Sequence, residues 1–222
     1  MQMTSGLLRV AVALLIVSAV TVDAQIIDSR RAGAGEPIAW TSLSVGWLQH
    51  GGLCDPDSNS CWGFGDAPQF RASLDLPLGR GATVGVVGTT ARVPLRYDGG
   101  LLGGCNGCDA DANVSQIFAN LHIGGNSGFH QVIDVNAGMT FFSNFRRTTG
   151  EKLDPDGIVS AFAFDLGYGF GYALSPRFRI MLIRDWGLVI HKRIPGQTNN
   201  TANQQTTRIG VRYGLGSRRR GF

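Results

Sequence analysis

Lysine is nearly absent from this chain: of its 20 Lys and Arg residues, only Lys152 and Lys192 are lysine. The formal net charge is +4, and no stretch interleaves basic residues with aromatics, so the footprint of a nucleic-acid binder is missing. Long apolar runs are scarce too. The run over residues 10–22 is too short to span a bilayer as a helix, and no other run reaches about 20 residues. Amphipathic helical periodicity is weak throughout. Catalytic motifs are also missing. There is no GxSxG (GGNSG at 124–128 has the wrong spacing), no HExxH and no Walker pattern. Gly167-Tyr-Gly169-Phe-Gly171 leads into no helix, as a dinucleotide fingerprint would require. No cofactor or metal is expected, and no catalytic residue is assigned.

The apolar run follows Arg9 and ends at Val22-Asp23-Ala24, which places small residues at the −3 and −1 positions of a signal-peptidase site. Residues 1–24 therefore read as a cleaved signal peptide with the mature chain starting at Gln25, and the protein as exported. Cysteine is sparse, with four residues, which in an exported chain points to two disulfides. Cys54 and Cys61 lie in GGLCDPDSNSCWG, Cys105 and Cys108 in GGCNGCDAD, both turn-rich. Closure within each loop is preferred among the three connectivities. A four-cysteine zinc site is disfavoured by an oxidising compartment, and a redox CxxC lacks its strand-to-helix context.

What the sequence does have is two-residue alternation. In TTRIGVRYGLG (206–216), Arg208, Gly210 and Arg212 alternate with Ile209, Val211 and Tyr213. The same pattern sets Phe70, Leu74 and Leu76 against Arg71 and Asp75. It also sets Ile133, Val135 and Phe141 against Asp134 and Asn136, and Phe162, Phe164 and Phe170 against Asp165 and several glycines. The alternation predicts eight strands, over 39–48, 69–76, 82–93, 114–123, 131–142, 158–172, 177–190 and 205–216, each of about 9–11 residues.

The links between them alternate. Those at 77–81, 124–128 and 173–176 are tight; those at 49–68, 94–113, 144–156 and 192–204 are long and polar. Long and short links in turn predict an up-and-down barrel crossing a membrane, with short periplasmic turns and long external loops. The faces then follow. An eight-stranded barrel has room inside only for filling side chains, and the bulky apolar set does not fit there. The aliphatics are expected to face lipid. Arg71, Asp75, Asp134, Asp165, Arg208 and Arg212 are expected to face one another in the lumen as a structural ion-pair network. Trp40, Trp47, Phe141, Phe142, Tyr168, Tyr172, Phe178, Trp186 and Tyr213 are expected near strand ends, as interfacial girdles. The strand over 177–190 puts Arg184 on the lipid face, to be resolved by snorkelling or by a bulge.

The chain thus resembles the small bacterial outer-membrane β-barrel proteins, the class of the OmpA transmembrane domain and OmpX. Its last strand, Arg208-Ile-Gly210-Val-Arg-Tyr213-Gly-Leu215, is similar to the C-terminal assembly signal of that class. The resemblance implies recognition of Gly210, Tyr213 and Leu215 by the barrel-assembly machinery. Residues 217–221 separate this signal from the terminal Phe222. GYGFGYALSPRFRI also looks like the family's penultimate periplasmic hairpin. The organisation expected is a signal peptide (1–24), a periplasmic segment (25–38), an all-β antiparallel barrel (39–216) and a basic tail (217–222), in the outer membrane of a Gram-negative-type bacterium.

Some barrels of this class modify lipids, but no His lies two residues before a Ser, as a resemblance to outer-membrane lipid A deacylases would require. His122 and His130 flank a tight turn and read as lumen or interface residues, while His191 begins an external loop. The expected role is non-catalytic: membrane integrity or surface interaction through the long loops. A lipid-modifying enzyme and a narrow solute channel stand as alternatives, with a soluble lipocalin-type barrel behind them. Arg146, Arg147, Lys152, Lys192 and Arg193 are candidate contacts to lipopolysaccharide phosphates, and outer-membrane lipid is the expected partner.

Overall fold

The computed structural model describes residues 36–79, 81–99, 105–192 and 200–216. The expected signal peptide, residues 25–35, Arg193 and the basic tail lie outside the described residues. Among those described, every regular element is a strand: β1 (Ala39–His50), β2 (Leu53–Asp55), β3 (Ser60–Phe64), β4 (Ala67–Gly79), β5 (Ala82–Gly99), β6 (Cys105–Gly124), β7 (Gly128–Arg147), β8 (Ile158–Ser175), β9 (Phe178–Ile190) and β10 (Thr201–Leu215). β1 and β4–β10 form a single antiparallel sheet that closes on itself, since β1 pairs with both β4 and β10 and β5 pairs with β6. Closure leaves these eight strands without an edge.

The register fixes the geometry. Following paired residues once around from Trp40, through Asp75, Gly85, Asn120, Asn136, Asp165, Gly187 and Gln204, returns to β1 at His50. The stagger is ten residues (50 − 40) over eight strands. With about 3.3 Å per residue and about 4.8 Å between strands, the strands tilt by about 40° from the barrel axis. Tight turns join β4–β5, β6–β7 and β8–β9 at one end, with Gly79, Gly81 and Gly128 at positive φ where L side chains are strained.

Around the short-turn end and the middle, the outer face is apolar and exposed: Leu43, Val45, Phe70, Leu74, Val86, Ile117, Phe170, Leu182 and Ile209 all point outward. The face assignment read from the sequence is the one observed. Two expectations are corrected, and one open alternative is decided. First, the strands are longer than 9–11 residues; β6 and β7 each have 20. Residues 94–99 and 105–113 are strand, not loop, and the 49–68 link contains the β2–β3 hairpin, whose β3 pairs with the upper part of β5. The cause is a reversal of chemistry at constant parity. Toward the long-loop end of β5 and β6, Val93, Leu95, Tyr97, Ala110, Ala112 and Val114 point inward and are buried, while Arg92, Arg96 and Asn113 point outward. Second, Trp40 and Phe142 are buried inside the barrel and form no girdle. Of the two alternatives left open for Arg184, the bulge is absent, for β9 keeps unbroken register with β10 throughout.

Candidate functional site

The lumen is filled in layers. Within the span of the apolar belt, four arginines (Arg71, Arg179, Arg208, Arg212) and four aspartates (Asp75, Asp134, Asp165, Asp185) are buried inside, so their formal charges cancel. Arg208 lies at the centre. It pairs with Asp134 through Nη2, and its Nε donates to Asp185 Oδ2 at 2.7 Å. His122 Nδ1 lies 2.6 Å from the other oxygen of Asp134. Nearer the short turns, Arg212 pairs with Asp75 at 3.2 Å and donates to Thr83 Oγ1 at 2.6 Å. Arg179 stacks 4.0 Å over the Trp40 ring and donates to Asn126 at 2.8 Å. The remaining two residues of the expected network bond to amides: Arg71 donates to Asn136 at 2.9 Å, and Asp165 accepts from Gln204 at 3.3 Å.

Above the charges, Gln116 bonds to Thr89 at 3.0 Å, Thr140 at 3.0 Å and Gln204 at 2.7 Å, forming an uncharged polar layer. Asp185 and Arg179 were not singled out in the sequence. Parity could have found them, because both alternate with the outward Arg184. Glycine on this face makes room for charge. A Cβ at Gly187 would collide with the Asp165 carboxylate, one at Gly167 with that of Asp185, and one at Gly46 with Thr206 and Arg208.

The long-loop end is capped by an apolar core. The β2–β3 hairpin places Leu53 and Trp62 against Leu48, Val93, Tyr97, Phe142, Phe145 and Leu153. Trp62 lies 4.5 Å from the Phe145 ring, and His50 lies 4.6 Å from Phe64 and 5.7 Å from Phe142. His50 is buried and its Nδ1 lies 2.6 Å from the Gly51 carbonyl. Cys54 and Cys61 face each other across the hairpin and are bonded, as are Cys105 and Cys108. The free side of β2 is held by a side chain: Asn200 accepts from Cys54 N–H at 3.3 Å and donates to Cys54 C=O at 2.6 Å, imitating a neighbouring strand.

Beside the cap lies a cleft of about 450 Å³, lined in part by Asp55, Ser58, Asp154, Asp156, His191 and Lys192. Its floor is a buried pair, with Asp55 Oδ1 2.9 Å from His191 Nε2. His191 Nδ1 lies 3.2 Å from the Ser160 carbonyl, so an acceptor faces each ring nitrogen. Burial would raise the Asp55 carboxyl, but hydrogen bonds from His191 and Ser58 outweigh it and hold it below the ordinary range. Ser58 Oγ donates to Asp55 Oδ2 at 2.7 Å. The carboxylate thus stands between hydroxyl and imidazole, which is not the order that activates a serine nucleophile. The loop cations near the cleft are engaged: Lys192 pairs with Asp57, Lys152 with Asp156 at 3.8 Å and Arg147 with Glu151 at 2.8 Å, while Arg146 donates to Asn144 at 2.7 Å. Gly210, Tyr213 and Leu215 lie on β10, with Tyr213 and Leu215 outward near the end that β10 shares with β1.

A closed eight-stranded barrel with an apolar belt outside and buried ion pairs inside is a transmembrane β-barrel, and the fold is that of the small outer-membrane barrels, the class of the OmpA transmembrane domain and OmpX. Neisserial surface protein A shares it, with a TM-score of 0.55 at 11% identity, covering 80% of this chain and 97% of that one. The N-terminal barrel of Pseudomonas aeruginosa OprF (TM-score 0.45, 12% identity, 82% and 99% covered) and Ail of Yersinia pestis (0.40, 15%, 80% and 99%) are more distant. No family model matches the sequence, and no curated protein does.

Proposed function

We propose that this is a non-catalytic protein of the bacterial outer membrane, exported by the 1–24 signal peptide, with its cap and long loops on the cell exterior. On this reading Gly210, Tyr213 and Leu215 present the assembly signal to the barrel-assembly machinery. The lumen charges act structurally, and the exterior serves membrane integrity or surface interaction, with Arg146, Arg147, Lys152, Lys192 and Arg193 as candidate contacts to lipopolysaccharide. The observation that carries it is the double filling of the barrel: a charge-balanced layer under a core of aromatic and aliphatic side chains. That arrangement favours a closed wall over a solute path, since barrels of this width are packed by their own side chains. The test is planar-bilayer recording on the refolded mature chain. The expected result is no steady conductance above that of the lipid; discrete, reproducible openings would overturn the closed-lumen reading.

A further inference from the structure

Among the described residues, the belt has one cation on its lipid face. Arg184 points outward from the middle of β9, with the apolar Leu182 below it and Trp186 above it on the same face. A guanidinium facing hydrocarbon is costly, most at the bilayer midplane and least at the interface. The neighbouring strands explain how it is accommodated. Thr207 is paired with Arg184, and from there upward β10 turns polar outside, through Gln205, Asn203 and Thr201. The side chain climbs into this polar notch, as a snorkelling arginine does. Its Nη1 donates to Thr207 Oγ1, and its Nη2 donates to Gln205 Oε1 and, at 3.0 Å, to Gln49 Oε1.

Every one of those acceptors is neutral, so the bonds orient the guanidinium without cancelling its charge. Arg92 and Arg96, outward on β5 above the belt, each meet an aspartate, Asp111 and Asp109. The carboxylate beside the notch stands one side chain removed from Arg184, beyond Gln49. Asp66 accepts from Trp47 Nε1 and Gln49 Nε2, each at 3.3 Å, on the β4 side. The field is therefore positive on the β9–β10 side and negative beyond Gln49. Two exposed tryptophans, Trp47 and Trp186, flank the notch, and tryptophan favours the headgroup level.

We propose that this notch is a lateral binding site for a phosphorylated lipid headgroup of the outer leaflet, with the Arg184 guanidinium as its phosphate anchor. The proposal rests on the outer-membrane reading above. The occupant follows from charge complementarity and depth. The guanidinium, with no carboxylate in direct contact, is carried up from the apolar wall into the polar outer face of β10, beside Leu188 and Ile190, which stay apolar on β9 itself. There it meets acyl chains on the β9 side and can reach a phosphate over the β10 side. The bonds to Gln49, Gln205 and Thr207 hold the guanidinium in place before any lipid arrives, which lowers the ordering cost of binding.

The test uses the refolded mature chain in neutral detergent with diphosphoryl lipid A as probe, binding being read by native mass spectrometry. Heat-modifiable migration of each variant reports that the barrel is closed. The proposal expects R184Q to lose about tenfold in affinity (about 1.4 kcal/mol), R184K to fall between it and wild type, and R92Q to bind as wild type does. It expects inorganic phosphate not to compete. Unchanged binding by R184Q, an equal loss in R92Q, or full competition by inorganic phosphate would each overturn it. A chain that never gives a heat-modifiable band would instead count against the membrane-barrel reading itself.

Discussion

Arg208 is the centre of the ion pairs that fill the lumen. It touches Asp134 on β7 and Asp185 on β9, and through Asp134 it reaches His122 on β6. A buried pair contributes little over an apolar filling, but deleting one partner strands the other charges. R208M is therefore expected to destabilise the barrel by about 3–5 kcal/mol, read as a lower urea midpoint in lipid vesicles. Adding D185N to that variant should recover part of the loss by removing one stranded carboxylate. The glycines facing these charges work at the same scale: Gly187 and Gly167 make room for the Asp165 and Asp185 carboxylates, which answers why one face of an alternating strand carries both arginine and glycine.

The element that decides the character of the long-loop end is the β2–β3 hairpin. It is tied by the Asp55–His191 pair, by Asn200 and by packing on His50. Asn200 also donates to the Lys192 carbonyl at 2.6 Å, so N200A removes three hydrogen bonds at once. The expected cost is about 1–3 kcal/mol of local stability, seen as faster amide exchange over residues 53–64 with exchange in β7 and β8 unchanged. The cap should also loosen in acid. Asp55 is held below its ordinary value of 3.8 when folded, so the unfolded hairpin binds more protons. Its contribution is complete above the ordinary value and is lost as pH falls through the folded one. Exchange over residues 53–64, corrected for intrinsic rates, should therefore speed up on acidification below about pH 4, and D55N should flatten that phase.

At the scale of the whole molecule, the barrel was legible wherever lipid lies on one side of the wall. β10 could be read only from Gln205 onward, because its outer face is apolar from Ile209 to Leu215 and polar above. β8 could be read almost to its ends, because its outward residues stay apolar or aromatic from Phe162 to Tyr172 while the inward ones are alanine, glycine and Asp165. The upper halves of β5 and β6 could not. There the outward residues become Arg92, Arg96 and Asn113, and the pattern expected of a membrane strand ends although the strand continues. GGLCDPDSNSCWG reads as turn by composition, yet Trp62 from it is a centre of the cap. Nothing local to residue 200 shows that its side chain pairs with Cys54, 146 positions away. Of the lumen, the six charges expected inside are buried there, but which of them meet depends on the stagger between strands, and alternation alone does not contain it.

That stagger and the reversal of chemistry along unbroken strands have a mechanical consequence. Sliding the barrel by two residues along its strands is a vertical step of about 5 Å at this tilt. In one direction the step carries Thr90, Ser115 and Gln205 into hydrocarbon, and in the other it lifts Phe141 and Phe162 toward water. The wall is graduated like a ship's load line, written not in loops or anchors but in which side of each strand is greasy at each level. The depth at which this protein floats is as much a property of its sequence as its fold is.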